Sequence, residues 1–204
     1  MPRSSIARRI SLRLVTVGML ALTGACLAEP LADDEDDGGD DGPTSDGDDV
    51  PSSAYCDPVA DWDPGWAMLE VQVLEIVNQR RAEGANCHTA GMFGPTTPLT
   101  MNPMLRCSAR KHSADMAARN FFDHDNPDGE DPFARMEAAG YSFQAAGENI
   151  AGGYPDAAGT MMQWMESDGH CSNIMNPGFT EIGVGYSSGG QYGTLWTQNF
   201  GTPL

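Results

Sequence analysis

An α+β domain, with helices covering an antiparallel sheet, is the fold class predicted by two features of this 204-residue chain. Apolar residues recur at helical spacing through the first part of the globular region. Alternation of apolar and polar residues appears near its end, so the β-α-β rhythm of a parallel sheet is absent. The first fifty residues carry neither pattern, which leaves one ordinary domain over residues 51–204.

Residues 1–28 place Arg3, Arg8, Arg9 and Arg13 ahead of an apolar run from Leu14 that ends in the small residues Thr23-Gly24-Ala25 and Cys26. This is the layout of a bacterial export signal peptide, too short to span a bilayer comfortably. Leu22 to Cys26 resembles a lipoprotein box, with Thr23 where Leu is usual. Lipidation of Cys26 and ordinary cleavage near Ala25 or Ala28 are both open, and either places the protein outside the cytoplasm, lipid-anchored at the envelope surface or secreted. Residues 29–50 hold eleven acidic side chains with no basic or aromatic ones. Such a stretch cannot bury enough apolar surface to offset its ordering entropy, so an extended, disordered acidic linker is expected.

The globular region opens with a helix over Asp63 to Gly84. Met68, Leu69, Val71, Val73, Leu74, Ile76 and Val77 form its apolar stripe, Arg80 and Arg81 fall in the last turn, and Gly84 follows the end. Asn102-Pro103 caps a second helix, Met104 to Asn120, with Leu105, Ala109, His112, Met116 and Ala117 at three- and four-residue steps. A short third helix runs from Pro132 to Ala139 and stops at Gly140. A fourth spans Asp156 to Glu166, its methionines serving as adaptable core filler. Glu181 to Tyr186 and Gln191 to Gln198 alternate in polarity around Ser187 to Gly190 and are expected to pair as an antiparallel hairpin, with Gln144 to Ala151 as a further strand.

From residue 51 onward, seven basic residues stand against eighteen acidic ones. No Lys/Arg stripe survives that balance, which argues against nucleic acid and anionic lipid as partners, so contact with a membrane is expected only through an N-terminal anchor. Cys56, Cys87, Cys107 and Cys171 form an even set in an exported chain, and three pairings are open. Closing the Gly/Pro/Thr loop with Cys87–Cys107 and stapling the entry segment with Cys56–Cys171 is the expected arrangement.

Four histidines can carry chemistry. His112 lies on the apolar stripe of the second helix and reads as a core or interface histidine, while His88 has no chemical companion in sequence. His124, in Asp123-His124-Asp125-Asn126-Pro127, and His170, in Ser167-Asp168-Gly169-His170, sit where the chain turns, and loops on a rigid scaffold are where sites usually lie. Glu148, amid apolar neighbours, reads as a partly buried carboxylate that needs a cation, a metal or hydrogen-bond donors. Two imidazoles and a carboxylate are sufficient ligands for zinc with an open position. The His-Glu-x-x-His pattern of metalloprotease helices is absent from the sequence.

These residues resemble the CAP superfamily (cysteine-rich secretory proteins, antigen 5, plant pathogenesis-related proteins), in its bacterial SCP-like extracellular branch. The resemblance is carried by Asn78 to Arg81, His112 to Met116, Asn120 to His124, Gly147 to Ile150, Trp164 with Gly169-His170 and Asn173-Ile174, Phe179 to Gly185, and Trp196 to Phe200. It covers roughly Leu69 to Gly201. It implies an α-β-α sandwich with a surface cleft bounded by two histidines and two acids, which in some members hold a divalent cation. Those positions fall on His124, Glu148 and His170, but Ser167 stands where the second acid is usual. Glu166 and Asp168 flank it, and adjacent helix positions point about 100° apart. A weak or incomplete site for zinc or another divalent cation, held by His124, His170 and Glu148, is therefore expected, in a cleft that Glu166 and Ser167 also border.

The expected function is that of an exported monomeric module that acts mainly by binding lipid, peptide or glycan in this cleft, with enzyme activity left open. The alternative is a zinc-dependent hydrolase or peptidase in which His124 and His170 hold the metal and Glu148 is a ligand or general base.

Overall fold

The computed structural model describes residues 50–204, and all of them belong to one unit. The export signal, Cys26 and the acidic linker up to residue 49 lie outside the described residues. Val50, expected at the end of the linker, is instead 7% exposed and packs with Cys56, Val59 and Cys107.

Helix starts follow a shared local code. Asp63 accepts from the backbone N–H groups of Gly65 and Trp66 and opens α1, Pro64–Glu83, with Pro64 in its first turn. After the two-residue strands β1 (Ala85–Asn86), β2 (Met92–Phe93) and β3 (Thr100–Met101), Asn102 caps α2, Pro103–Arg119, in the same way, again followed by proline. Asp131 caps α3, Pro132–Ala138. Strand β4 covers Phe143–Gly152, and Asp156 caps α4, Ala157–Met165. Helix α5, Asp168–Met175, follows almost without a break. Strands β5, Glu181–Gly189, and β6, Gly193–Pro203, close the chain.

The main sheet has the order β3-β5-β6-β4, antiparallel except where β3 runs parallel to β5. Its two-residue side-chain period builds the sandwich. Ile182, Val184, Tyr186, Trp196 and Phe200 point to one face and pack with Val73 and Val77 of α1, Met161 and Trp164 of α4, and Ile174 of α5. The intervening positions meet α2 on the other face, where Thr197 contacts Ser113, and Leu195 and Ile150 contact Met116. Two glycines let α2 lie directly on β5: a Cβ at Gly183 would fall 2.0 Å from the carbonyl carbon of Leu105, and one at Gly185 would fall 2.3 Å from that of Ala109.

The predicted helices and the hairpin are present with small boundary shifts. The hairpin turn is displaced, because Ser187 and Ser188 continue β5 and the reversal falls between Gly189 and Gly193, whose φ values are +127° and +75°. Helix α5 was not expected from the sequence.

The disulfide pairing differs from expectation. Cys56 bonds Cys107 and Cys87 bonds Cys171, replacing Cys87–Cys107 and Cys56–Cys171. The reason is the side of α2 on which each thiol lies. Cys107 faces the small cluster formed with Val50, Val59 and Ala139, whereas Cys87 and Cys171 belong to the main core under α1 and α4. A Cys87–Cys107 bond would have to join two clusters separated by the α2–β5 contact.

Candidate functional site

The expected site residues converge on β4, an edge strand of the main sheet. Glu148 points to the α2 face of β4 and is buried. His124 comes from the α2–α3 loop and reaches the same carboxylate, with Nδ1 2.8 Å from Glu148 Oε1. The other carboxylate oxygen accepts from Arg135 Nη2 of α3 at 2.9 Å, and both side chains of this ion pair are 2% exposed. The amide orientation of Asn199 that satisfies its neighbours adds a donor to Oε2 at 2.9 Å.

His170 arrives from the opposite layer, on the first turn of α5, near enough to His124 for the two imidazoles to influence each other's charge. A polar ladder holds the two sides together. Asn173 donates to the carbonyl of Glu148 at 3.3 Å and to Asn149 Oδ1 at 2.9 Å, and Asn149 in turn donates to the carbonyl of His170 at 3.1 Å. Each contact joins α5 to β4, and all the buried amides of the ladder are satisfied.

The two imidazoles differ in their protonation. The hydrogen bond that His124 donates to Glu148 raises the pKa of His124, overriding the opposing effect of burial. Burial, followed by the charge on His124, lowers that of His170. His124 donates through Nδ1, which leaves Nε2 as the nitrogen at its half-exposed end. His170 has a buried Nδ1 without a partner in the protein.

The remaining expected residues make no side-chain hydrogen bond to His124, Glu148 or His170 among the described residues. Ser167 is the N-cap residue of α5 and makes no side-chain capping bond. Glu166 ends α4 and lines a separate groove between α1 and α4, together with Ile76, Met161, Met162 and Met165. Asp168 accepts a hydrogen bond from Thr89.

By donor type, two imidazoles fit a zinc ion. By position, Glu148 stands behind His124, the arrangement in which a carboxylate orients a metal-binding histidine rather than binding metal itself. Both of its oxygens are already engaged. Among the described residues, no three His, Cys, Asp or Glu side chains lie close enough to share a metal ion as they stand.

Sequence reasoning missed Arg135, and it read His112 as a core or interface histidine, which its burial bears out. His112 is fully buried, with Nε2 3.0 Å from the carbonyl of Asp123 and 3.9 Å from Glu148 Oε1. Burial pushes its pKa down to about 4, so the ring is neutral and its approach to Glu148 is not an ion pair. Arg135 had a signal: a buried carboxylate calls for a cation, and Arg135 is the one basic residue in the sequence between His124 and Glu148.

A model of the "Cysteine-rich secretory protein family" matches residues 74–200. The uncharacterized protein YkwD of Bacillus subtilis (strain 168) is 40% identical over 132 residues, which are 64% of this chain and 46% of that protein. An extracellular protein containing an SCP domain from Bacillus anthracis str. Ames is similar in structure, with a TM-score of 0.55 and 29% identity over 66% of this chain and 40% of that one. An outer surface protein from Borrelia burgdorferi shares the fold at a TM-score of 0.53 and 16% identity, over 68% of this chain and 92% of that one. The match spans less than half the length of both Bacillus proteins.

Proposed function

This chain belongs to the cysteine-rich secretory protein (CAP) family, and from that premise we propose that it is an exported binding module whose ligand seats in the cleft of His124, Glu148 and His170. A divalent cation such as zinc would be held between the two imidazoles, supplying a positive centre for an oxygen of the ligand. The observation that carries this reading is the double engagement of Glu148 by His124 and Arg135. A carboxylate tied on both oxygens orients an imidazole and is poorly placed to take a proton from an attacking water, which favours binding over hydrolysis. The export reading draws support from the sequence of residues 1–28, from the two disulfides, and from the extracellular SCP-domain protein similar in structure.

Lipid, peptide and glycan remain the candidate ligand classes. For lipid, the α1–α4 groove offers a separate apolar seat away from His124 and His170: it holds about 590 Å3 and is walled by Ile76, Met161, Met162 and Met165, with Met162 61% exposed. A fluorescent fatty acid taken up by the wild type, and not by Met162→Glu, would support that class.

The central test is a calorimetric zinc titration of the full chain near neutral pH. Saturable uptake is expected, lost in both His124→Ala and His170→Ala and weakened by roughly 10–100-fold in Glu148→Gln. Uptake unchanged in His124→Ala refutes the cation site. Peptide or ester turnover that disappears in both His124→Ala and Glu148→Gln would overturn binding in favour of the zinc-dependent hydrolase.

A further inference from the structure

A cavity of about 390 Å3 lies between the 3₁₀ turn Asp57–Val59, α2 and the α2–α3 loop. Its volume falls at the lower end of the roughly 300–1,000 Å3 usual for small-ligand sites. Pro58, Val59, Ala114 and Ala118 give it an apolar side, and Lys111, Asp115, Glu130 and Arg135 bring charge to its wall.

Three of those four charges are already engaged. Arg135 pairs with Glu148 at 2.9 Å, and Asp115 pairs with Arg119. Lys111 Nζ donates to the carbonyl of Tyr55 at 2.9 Å and sits 3.7 Å from the centre of that residue's ring. Glu130 is the exception: among the described residues no cation pairs with it, and its carboxylate meets only a neutral amide. The side chain is nevertheless held in place. Oε2 accepts from Asn126 Nδ2 at 3.1 Å, the Glu130 N–H donates to Asn126 Oδ1 at 3.0 Å, and the Glu130 carbonyl accepts from Arg135 Nη1 at 2.8 Å. A fixed, partly buried carboxylate with an oxygen to spare is pre-organised for a cationic donor.

The surroundings carry the same sign. Besides Glu130, the α2–α3 loop holds Asp123, Asp125, Asp128 and Asp131, with no Lys or Arg among residues 120–131. Such a loop raises the local concentration of cations and repels anions. Burial first, and then the charge on Glu130, push the Tyr55 hydroxyl up to about 12, so the field of Glu130 reaches the part of the wall that Tyr55 forms. A cavity with one unmatched carboxylate and an otherwise apolar side suits a cation carried on a hydrocarbon chain.

We propose that this cavity seats a primary alkylammonium group, with the Glu130 carboxylate taking the ammonium and Pro58, Val59, Ala114 and Ala118 covering the chain. The site does not depend on a cation between His124 and His170, so either can fail alone. The test is an NMR titration of the isotope-labelled full chain with butylammonium chloride, following the Ala114 and Ala118 methyl groups. Saturable shifts are expected at both, with an affinity that falls as sodium chloride is raised. Glu130→Gln keeps the oxygen that Asn126 needs and removes the charge; it is expected to weaken binding at least about tenfold, the order expected for one lost charge-assisted hydrogen bond. Unchanged affinity in Glu130→Gln overturns the proposal, as do shifts that rise linearly without saturating. Butanol or butyrate binding as tightly as butylammonium overturns the ammonium assignment, and this comparison on the wild type decides if Glu130→Gln does not fold. Acetyl-lysine methylamide separates two sources of the same chemistry: binding at least as tight as that of butylammonium assigns the seat to a lysyl side chain of a partner, and weaker binding assigns it to a free amine.

Discussion

Replacing Arg135 by Met isolates the electrostatic core of the site. The guanidinium and the Glu148 carboxylate are both 2% exposed and 2.9 Å apart, so removing the cation leaves a carboxylate buried with only His124 and Asn199 as donors. Breaking a buried pair from one side destabilises by about 3–5 kcal/mol. The two surviving donors place the expected loss at the low end, about 3 kcal/mol, or about 6–12 °C in Tm for a domain of this size. Glu148→Leu alone strands Arg135 and is expected to lose a similar amount. The double variant Arg135→Met/Glu148→Leu removes both charges and is expected within about 1 kcal/mol of wild type, since apolar replacement of a whole buried pair is often neutral. Urea denaturation with the disulfides intact measures all four corners of the cycle. A loss below about 1 kcal/mol in Arg135→Met, or a double variant as unstable as the two singles combined, refutes the reasoning.

Further outcomes follow from the same geometry. His112 has a folded pKa of about 4 against an ordinary value near 6.5, so the unfolded chain takes up the proton first as pH falls, and about 3 kcal/mol of stability is lost between those two values. Urea midpoints against pH should lose that slope in His112→Gln; an unaltered slope contradicts it. Zinc must displace the Nε2 proton of the His124 imidazolium, whose pKa the hydrogen bond to Glu148 raises, so zinc affinity is expected to rise about tenfold per pH unit until the pH passes that raised pKa, then level off. Calorimetry at several pH values checks this, and an affinity flat across the ordinary histidine range opposes it. Gly183→Ala is expected to lose at least about 3 kcal/mol or not fold at all, because its Cβ meets backbone that cannot swing aside. Gly169→Ala on α5, with open space at its Cβ, is the control, expected to be neutral or more stable by up to about 1 kcal/mol in thermal melts.

Most of the fold was legible because its signals are local. Asp63-Pro64, Asn102-Pro103 and Asp131-Pro132 each announce a helix start, and the alternation after Glu181 announces the hairpin. Helix α5 was not legible: Gly169, Ser172 and Asn173 are poor helix formers, and the segment is helical because Cys171, Ile174 and Met175 are buried in the main core. The disulfides were misread for a related reason. Nearness in sequence favoured Cys87 with Cys107, while the packing of α2 on Gly183 and Gly185 sends those two thiols to different clusters. At the site, His124, Glu148 and His170 could be named from residue type and family pattern. That Glu148 lies behind His124 could not, because it depends on α3 delivering Arg135 to the second carboxylate oxygen.

The two disulfides overlap along the chain: Cys87 lies inside the loop closed by Cys56–Cys107, and its partner Cys171 lies outside it. A single peptide-bond cut anywhere between Cys56 and Cys171 therefore leaves both fragments covalently joined. The acidic loop that carries His124, the strand that carries Glu148 and the start of α5 all fall within that span. In surroundings rich in proteases, a nicked molecule would keep its two halves of the cleft tethered and free to close again, whereas two side-by-side loops would leave an unprotected stretch between them.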